Sequence, residues 1–454
     1  MICGFDYGTS NCAIGIEEDS KVRLVPLEGT NTFLPSTLYA LDRDLIAESV
    51  ARNLVDEQQR DVFVEQRRLI LSRAQRVRRE EDIAAGEQTL FFGRAAFSEY
   101  YQWPEDGYFV KSPKSFLGGS GLREQHIHFF EDVVTAMMQN IKQQAEKNLG
   151  KEMTHTVIGR PVNFQGIDAE ASNRQALDIL TTAGKRAGFK EIEFLYEPIA
   201  AGLDFEAKMT QNQTVLVVDI GGGTTDCAMV KMGPDFASKE DRSADFLGHT
   251  GERIGGNDLD IRVAGKHLMP LFGMDSNLKT GLPMPTQLYW NAITTNDVTA
   301  LATFNSLETK LQIEQLRLDA SEPKLLERFL HLREEKHNYH LVRNAEEAKI
   351  ALSDQQDHKV FLDYIEQGLS RDISRDLFSE SIQPPLEKML SLMSDAIKQA
   401  GVQPDVIYMT GGSAKSPVIR AAIQQRIGDV PVLDGDHFGS VAAGLTVWAK
   451  RIFR

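Results

Sequence analysis

The sequence predicts an α/β protein of two similar lobes, and two observations carry that reading. Residues 1–19, MICGFDYGTSNCAIGIEED, and 214–233, TVLVVDIGGGTTDCAMVKMG, share one pattern: apolar run, Asp, Gly/Thr/Ser turn, second apolar run. Each reads as a β-hairpin, and a spacing of roughly 210 residues is far too long for a solenoid repeat. Between them, strand-like and helix-like stretches alternate. THTVIGRPVNF (154–164) is an apolar run broken by Pro161, 168–188 has helical spacing, and IEFLYEPIAAGLDFEA (192–207) adds a strand and a helix. That order builds a layered α/β unit.

After the second hairpin the pattern changes. Residues 257–272 and 297–370 read as long charged helices with Leu and Ile at helical spacing, as in LETKLQIEQLRL and PKLLERFLHLREEKHNYHL. The stretch 276–290, with Pro283 and Pro285, reads as loop. DVIYMTGGSAKSPVIRAAIQQRI (405–427) reads as strand, Gly turn and helix, and SVAAGLTVWAKRIF closes the chain as a helix. Residues 51–82 form another helical segment, carrying Arg60, Arg67, Arg68, Arg73, Arg76, Arg78 and Arg79 among Glu and Asp. Interleaved charge of that kind predicts a solvated amphipathic face.

Bulk properties narrow the function classes. A 454-residue chain is too long for one core. Asp plus Glu number 65 against 50 Lys plus Arg, and a formal charge of −15 argues against a nucleic-acid footprint over the whole molecule. No run approaches the ~20 apolar residues of a membrane helix, and the chain enters its first strand without a basic leader. Cys3, Cys12 and Cys227 form no CxxC pair and read as buried, reduced thiols, so a cytoplasmic protein is expected. HxH at 126–128 and the pair His337/His340 lack companion ligands at zinc-like spacing and read as surface residues. P-loop, GxGxxG and GxSxG patterns are all missing from the sequence.

The glycine turns carry the chemistry. Glycine lets backbone N–H groups approach an anion closely, and several charge-assisted bonds of about 1.5–3 kcal/mol each can hold a polyphosphate. Gly8, Thr9, Ser10 and Asn11 offer one cradle; Gly221, Gly222, Gly223, Thr224 and Thr225 offer another. Asp6 and Asp219, one before each turn, suit a hydrated Mg2+. Either turn alone is an ordinary tight hairpin; two of them form a clamp. A third turn, Thr410-Gly411-Gly412-Ser413, follows a strand and allows close approach to a nucleoside.

The combination of GFDYGTSNCAIG, KSFLGG, RPVNF, YEPIAAGL, VVDIGGGTTDCAM, GGNDLD, EEAKIALS and YMTGGSAKSP resembles the nucleotide-binding half of the DnaK-type heat-shock 70 family, and within it a truncated bacterial type. The stretches run from residue 4 to about residue 445. The resemblance implies an actin-like ATPase fold: ribonuclease H-like duplicated lobes with a helical insertion in the second. It implies lobe I over 1–205, lobe II over 206–435 with the insertion at about 257–380, and a terminal helix, 436–454, returning to lobe I. Bound ATP or ADP, Mg2+ and K+ are the implied cofactors. Asp6, Asp219 and Asp226 match acidic residues around the cations, and Thr9, Ser10 and Thr224 match phosphate-turn hydroxyls. Lys114 matches a lysine orienting the attacking water or the γ-phosphate; by itself it reads as a loop lysine. Glu197 matches a carboxylate near the metal, while Pro161 and Arg174 match an interdomain switch. Gly411, Gly412 and Ser413 match the adenosine turn, and Glu346 and Lys349 match ribose and adenine contacts. The implied reaction is in-line attack of water on ATP, driven by positioning and charge.

Several positions depart from the family pattern. Ile350 stands where an arginine stacks on adenine, and that loses a cation–π contact of ~1 kcal/mol. Lys415 stands for a second arginine, and Phe438-Gly439 replaces an acidic pair. No Leu-rich linker or peptide-binding half follows Arg454, so an unconventional output is expected, through a protein partner on the helices at 297–370. A sugar or polyol kinase of the same superfold, a non-enzymatic nucleotide-binding scaffold and a filament former are the competing readings.

Overall fold

Apolar residues in the first run bury both faces of a strand, Ile2–Tyr7, which turns back antiparallel into Asn11–Glu18. The second run does the same over Gln213–Ile220 and Thr225–Met232, with Asp219 opposite Asp226. The molecule is described here from a computed structural model that covers every residue except 20, 165–167, 238, 240, 241, 436–438 and 454, and the side chains of Ser243 and Val298. The departure at Phe438 lies outside the described residues.

The two hairpins seed sheets of one design. In the first, an antiparallel edge strand (Lys21–Leu24) flanks the hairpin, and two parallel strands (His155–Arg160, Glu191–Tyr196) extend it from Ile2–Tyr7. In the second, Phe246–Glu252 is the antiparallel flank, and Val406–Thr410 and Val432–Asp434 are the parallel pair. A helix follows each parallel strand, as parallel pairing requires. Both sheets fall in one compact unit, comprising residues 1–253, 391–414 and 427–454; the other unit comprises 254–390 and 415–426.

Within the first unit the terminal helix, Ser440–Ile452, lies against the strand Ile2–Tyr7 and the helix Glu197–Glu206. Leu445 and Ala449 join Val157, Val217 and Tyr408 in one apolar cluster. A larger cluster gathers around Phe5, Ile14, Met137 and Leu180. Cys3, Cys12 and Cys227 are buried free thiols, as their sequence context suggests, and burial pushes each thiol up, Cys3 to about 11.

The arginine-rich segment departs from expectation at one residue. Helices Glu57–Gln66 and Arg68–Glu80 meet at Arg67, which is fully buried rather than solvated. Its guanidinium donates to Asp132 at 2.8 and 3.1 Å and to Glu131 at 2.9 Å, and Arg186 adds a second cation at 3.4 Å from Glu131. Charge alternation in a sequence cannot distinguish a surface arginine from one that finds two carboxylates inside. Removing one partner strands buried charge, so Arg67→Ala should cost about 3 kcal/mol in urea unfolding. An Arg67→Lys protein that is equally unstable would point to the lost fork geometry, and an Arg67→Ala protein as stable as wild type would refute the network's role.

In the second unit the long helices read from the sequence are interrupted. Asp297 accepts from the N–H groups of Thr299 and Ala300, and Ser306 accepts from that of Thr309, so each starts a new helix: Val298–Asn305 and Leu307–Asp319. Pro323 opens Pro323–Glu334, Lys336 adopts φ 49°, and Asn338–Asp354 follows. Asp357–Phe361 and Ser370–Ser374 then pair as a two-stranded ribbon, where helix was expected. The 257–272 helix also ends early, at Val263, before a π-helical turn and a 3-10 turn holding Pro270. Gln287–Ile293 is helical, so the stretch read as loop ends before residue 287 rather than at 290. His337 and His340 are half-buried against Tyr364 rather than free on the surface. No helix among the described residues is long and apolar enough to cross a membrane.

Candidate functional site

The hairpin register sets Asp6 opposite Ala13 and Asp219 opposite Asp226, each one residue before the end of its strand. In the first turn, the hydroxyl of Ser36 donates to the carbonyl of Gly8 at 2.6 Å, and the N–H of Ser36 donates to the carbonyl of Ser10 at 2.9 Å. These bonds tie down Gly8, Thr9 and Ser10 from outside, leaving Asn11 to begin the return strand opposite Pro35. In the second turn, the N–H of Gly221 donates to the carbonyl of Thr224 at 3.0 Å, closing the loop over Gly222 and Gly223.

The two turns meet. A Cβ placed on Gly223 would stand 2.8 Å from the Thr9 methyl carbon, 3.2 Å from its hydroxyl oxygen and 3.1 Å from the Ser115 hydroxyl. Only glycine leaves that space free. The third turn joins the second: Gly411 adopts φ +85°, and a Cβ there would fall 2.2 Å from the Ile220 carbonyl and 2.9 Å from an Asp219 carboxylate oxygen. Thr410 pairs with Asp219 across the parallel strands, and Gly412 and Ser413 continue into a 3-10 turn.

Lys114 reaches this place from a one-turn 3-10 helix, Pro113–Phe116, set by Ser112 in the left-handed region. Its ammonium is buried, donating to the Glu197 carboxylate and, at 3.2 Å, to the Gly159 carbonyl. Glu197 is the first residue of its helix, where a carboxylate also faces free N–H groups. The loop-lysine reading of Lys114 is therefore replaced by a buried ion pair, and Gln175 braces the same loop by donating to the Leu117 carbonyl at 2.7 Å and the Gly119 carbonyl at 3.1 Å.

Four carboxylates thus crowd around the Lys114 ammonium. Burial first, and then the Glu197 charge, pushes Asp6 up to about 7, with Lys114 opposing. Asp226 is likewise pushed up to about 7 by burial and Glu197, while the Val162 N–H (2.7 Å) and the Thr224 hydroxyl pull it back. Asp219 is raised as well, by burial, Glu197, Asp226 and Asp6, with Lys114 opposing. The second oxygen of Asp226 is buried with no hydrogen-bond partner. Excess buried negative charge with an unsatisfied acceptor suits a cation. Among the described residues no three acidic, His or Cys side chains converge closely enough to ligate an ion directly. The donor set therefore fits an ion that keeps its water, as Mg2+ does.

Other sequence candidates take local partners. In the second unit, Lys349 donates to one Asp260 oxygen at 3.0 Å and to the Gly256 carbonyl at 3.1 Å, with the other Asp260 oxygen 2.8 Å away as an ion pair. Glu346 pairs with Arg343 at 3.0 Å, and Ile350 is exposed. Arg174 lies on the surface paired with Glu170, and the chain after Pro161 is held through Val162 to Asp226. Sequence reasoning missed Ser36, Ser115 and the Val162 N–H. Of these only Ser115 carried a signal, as the neighbour of Lys114.

Two like sheets whose hairpin turns meet over a buried carboxylate cluster define the actin-like ATPase class of α/β fold. Within that class, the chain belongs to the Hsp70 family: the Hsp70 protein family model matches residues 122–282 and 327–450, more than half of the chain. It is 23% identical over 459 residues to chaperone protein dnaK of Emiliania huxleyi, covering 99% of this chain and 59% of that protein. It is 22% identical over 453 residues to chaperone protein DnaK of Thermus thermophilus, covering 98% of this chain and 60% of that one. Against chaperone protein dnaK3 of Synechococcus elongatus the identity is 26% over 328 residues, 70% of this chain. The chain thus spans about 60% of the length of the first two relatives.

Proposed function

We propose that this protein binds ATP with Mg2+ between its glycine turns and hydrolyses it to ADP and phosphate. The observation that carries the reading is the meeting of Thr9, Gly223 and Ser115 beside Lys114, Glu197 and the three aspartates. Backbone N–H groups of the turns 8–11 and 221–225 would bind the phosphate oxygens, with Thr9, Ser10, Thr224 and Thr225 hydroxyls beside them. Bound Mg2+ would neutralise the phosphate charge from water-separated positions near Asp6, Asp219 and Asp226, and K+ is a further candidate there. Lys114 would hold the transferring phosphoryl group or its attacking water, and Glu197 would fix that lysine and accept from the water. Gly411, Gly412 and Ser413 are the proposed adenosine turn. Glu346 and Lys349 are proposed for ribose and adenine contacts. Lobe I (1–205), lobe II (206–435) and the returning helix (436–454) are the proposed working parts. The output is a chaperone-related one exerted on a protein partner in the cytoplasm.

The test is steady-state ATP hydrolysis with Mg2+ and K+, alongside thermal unfolding with and without nucleotide. Wild type should turn over ATP and be stabilised by it, and Asp219→Asn should lose most of both. Absence of both in the wild type would sink the ATPase reading in favour of a scaffold.

The raised carboxylates add a pH signature. Unfolded aspartates titrate near 3.9, whereas Asp6 and Asp226 titrate at about 7 in the fold. The native protein therefore holds extra protons between those values. Their contribution is complete below about pH 4 and is lost as pH rises through 7. Without ligand, melting temperature should decline across pH 5–8, and Asp226→Asn should flatten the decline. With Mg2+ and ATP the gain should be larger at pH 8 than at pH 6; an equal gain at both would contradict a cation site on these groups.

A further inference from the structure

Ser115 follows Lys114 in the chain and is nearly as buried, at 9% exposed. Among the described residues its hydroxyl makes no hydrogen bond. A buried hydroxyl without a partner has already lost its hydration, so a ligand that completes it gains a bond at little further cost. The backbone fixes where that hydroxyl goes. Ser112 adopts φ 55°, a strained conformation for a side-chain-bearing residue, and the N–H of Ser115 donates to the Ser112 carbonyl at 3.0 Å. The single 3-10 turn that results sets Lys114 and Ser115 side by side in the chain, with side chains about 120° apart. They therefore serve different atoms: the ammonium goes to Glu197, and the hydroxyl goes to the Gly223 backbone.

The point where a Gly223 Cβ would stand is 3.1 Å from the Ser115 hydroxyl oxygen, 3.2 Å from the Thr9 hydroxyl oxygen and 2.8 Å from the Thr9 methyl carbon. Such spacing is too tight for a carbon atom. An oxygen that accepts hydrogen bonds sits closer to its donors, at roughly 2.5–3.0 Å, and fits after a shift of a few tenths of an ångström. Two hydroxyls from separate loops thus face a gap for one oxygen. Its place along the second turn says which oxygen. The proposed adenosine turn packs at the start of that turn, where a Gly411 Cβ would stand 2.2 Å from the Ile220 carbonyl, while Gly223 lies at the far end. Phosphates laid along 221–223 from a nucleoside at Gly411 end beside Ser115. We propose that Ser115 reads the terminal phosphate: its hydroxyl, with that of Thr9, donates to one γ-phosphoryl oxygen, which ADP lacks. Ser115 is then the residue that sets ATP apart from ADP, and this inference rests on the ATP-binding reading.

The test is calorimetric binding, with Mg2+ and without turnover, of ADP and of a β,γ-imido analogue of ATP to wild type and Ser115→Ala. A hydroxyl donating to a phosphate oxygen makes a charge-assisted bond, so Ser115→Ala should weaken the analogue at least about 10-fold while ADP stays within about 2-fold. Inorganic phosphate added to the ADP-loaded protein should weaken by the same factor as the analogue. The melting temperature without ligand should not move, because the hydroxyl has no protein partner to lose. An analogue bound as tightly by Ser115→Ala as by wild type, an equal loss for ADP and the analogue, or a lower melting temperature without ligand would each overturn the role of Ser115 and leave the ATP-binding reading standing. A wild type that binds neither nucleotide would bring down that reading and this inference together.

Discussion

Lys114→Ala should lower ATP turnover at least about 100-fold, while Lys111→Ala, three residues earlier on the strand Tyr108–Lys111, should change it little. The size follows from where the ammonium sits. It pulls Asp6, Asp219 and Asp226 back down against burial, and it is bonded to Glu197. In water a lost charge is replaced by solvent; in this buried cluster it is not, and electrostatic terms are correspondingly larger. Lys114→Ala should also move the carboxylates still higher, shifting the pH at which Mg2+ binding appears. Lys114→Arg separates positioning from charge: a planar fork in place of a point charge should restore the protonation behaviour without restoring turnover. If Lys114→Ala hydrolyses ATP at the wild-type rate, the lysine is a structural partner of Glu197 and nothing more.

How much of this was legible in the sequence depended on whether a feature is local. The two hairpins were legible because strand, Asp and glycine turn are consecutive, and the structure shows Asp219 opposite Asp226 in a simple register. The meeting of Thr9 with Gly223 could be expected only from the duplication, since 214 residues separate them and no local pattern encodes that contact. Helix breaks in the 297–370 region were written in capping residues, Asp297 and Ser306, that leucine periodicity overrode. Arg67 was misread for another reason. A cation on a helix reads the same whether its partner is solvent, ligand or a carboxylate from a distant helix, and here Asp132 is that partner. Ser36 was invisible because a lone serine that donates to one turn carbonyl has no motif at all.

The terminal helix offers the largest stability effect. Gly444 lies where the helix Ser440–Ile452 crosses the helix Glu197–Glu206, and a Cβ there would stand 1.6 Å from the carbonyl oxygen of Ala200 and 2.4 Å from its carbonyl carbon. Those atoms are backbone, so no rotamer can relieve the overlap and one helix must move. Ordinary overpacking against side chains costs about 1–3 kcal/mol, so a backbone collision belongs in the rarer class of about 4–5 kcal/mol. Gly444→Ala should therefore lower the melting temperature by roughly 10 °C or more, against little change for Val447→Ala on the same helix, which is partly exposed. The consequence reaches the site, because Glu197 begins the helix that would be displaced. A shift of that helix moves the Glu197 carboxylate relative to Lys114, so the surviving folded fraction of Gly444→Ala should bind Mg2+ and ATP more weakly than wild type at a temperature where both are folded. A variant that is destabilised yet binds nucleotide normally would show that the terminal helix sets stability alone. One with wild-type stability would mean that the two helices separate at no cost, against the close packing seen between them.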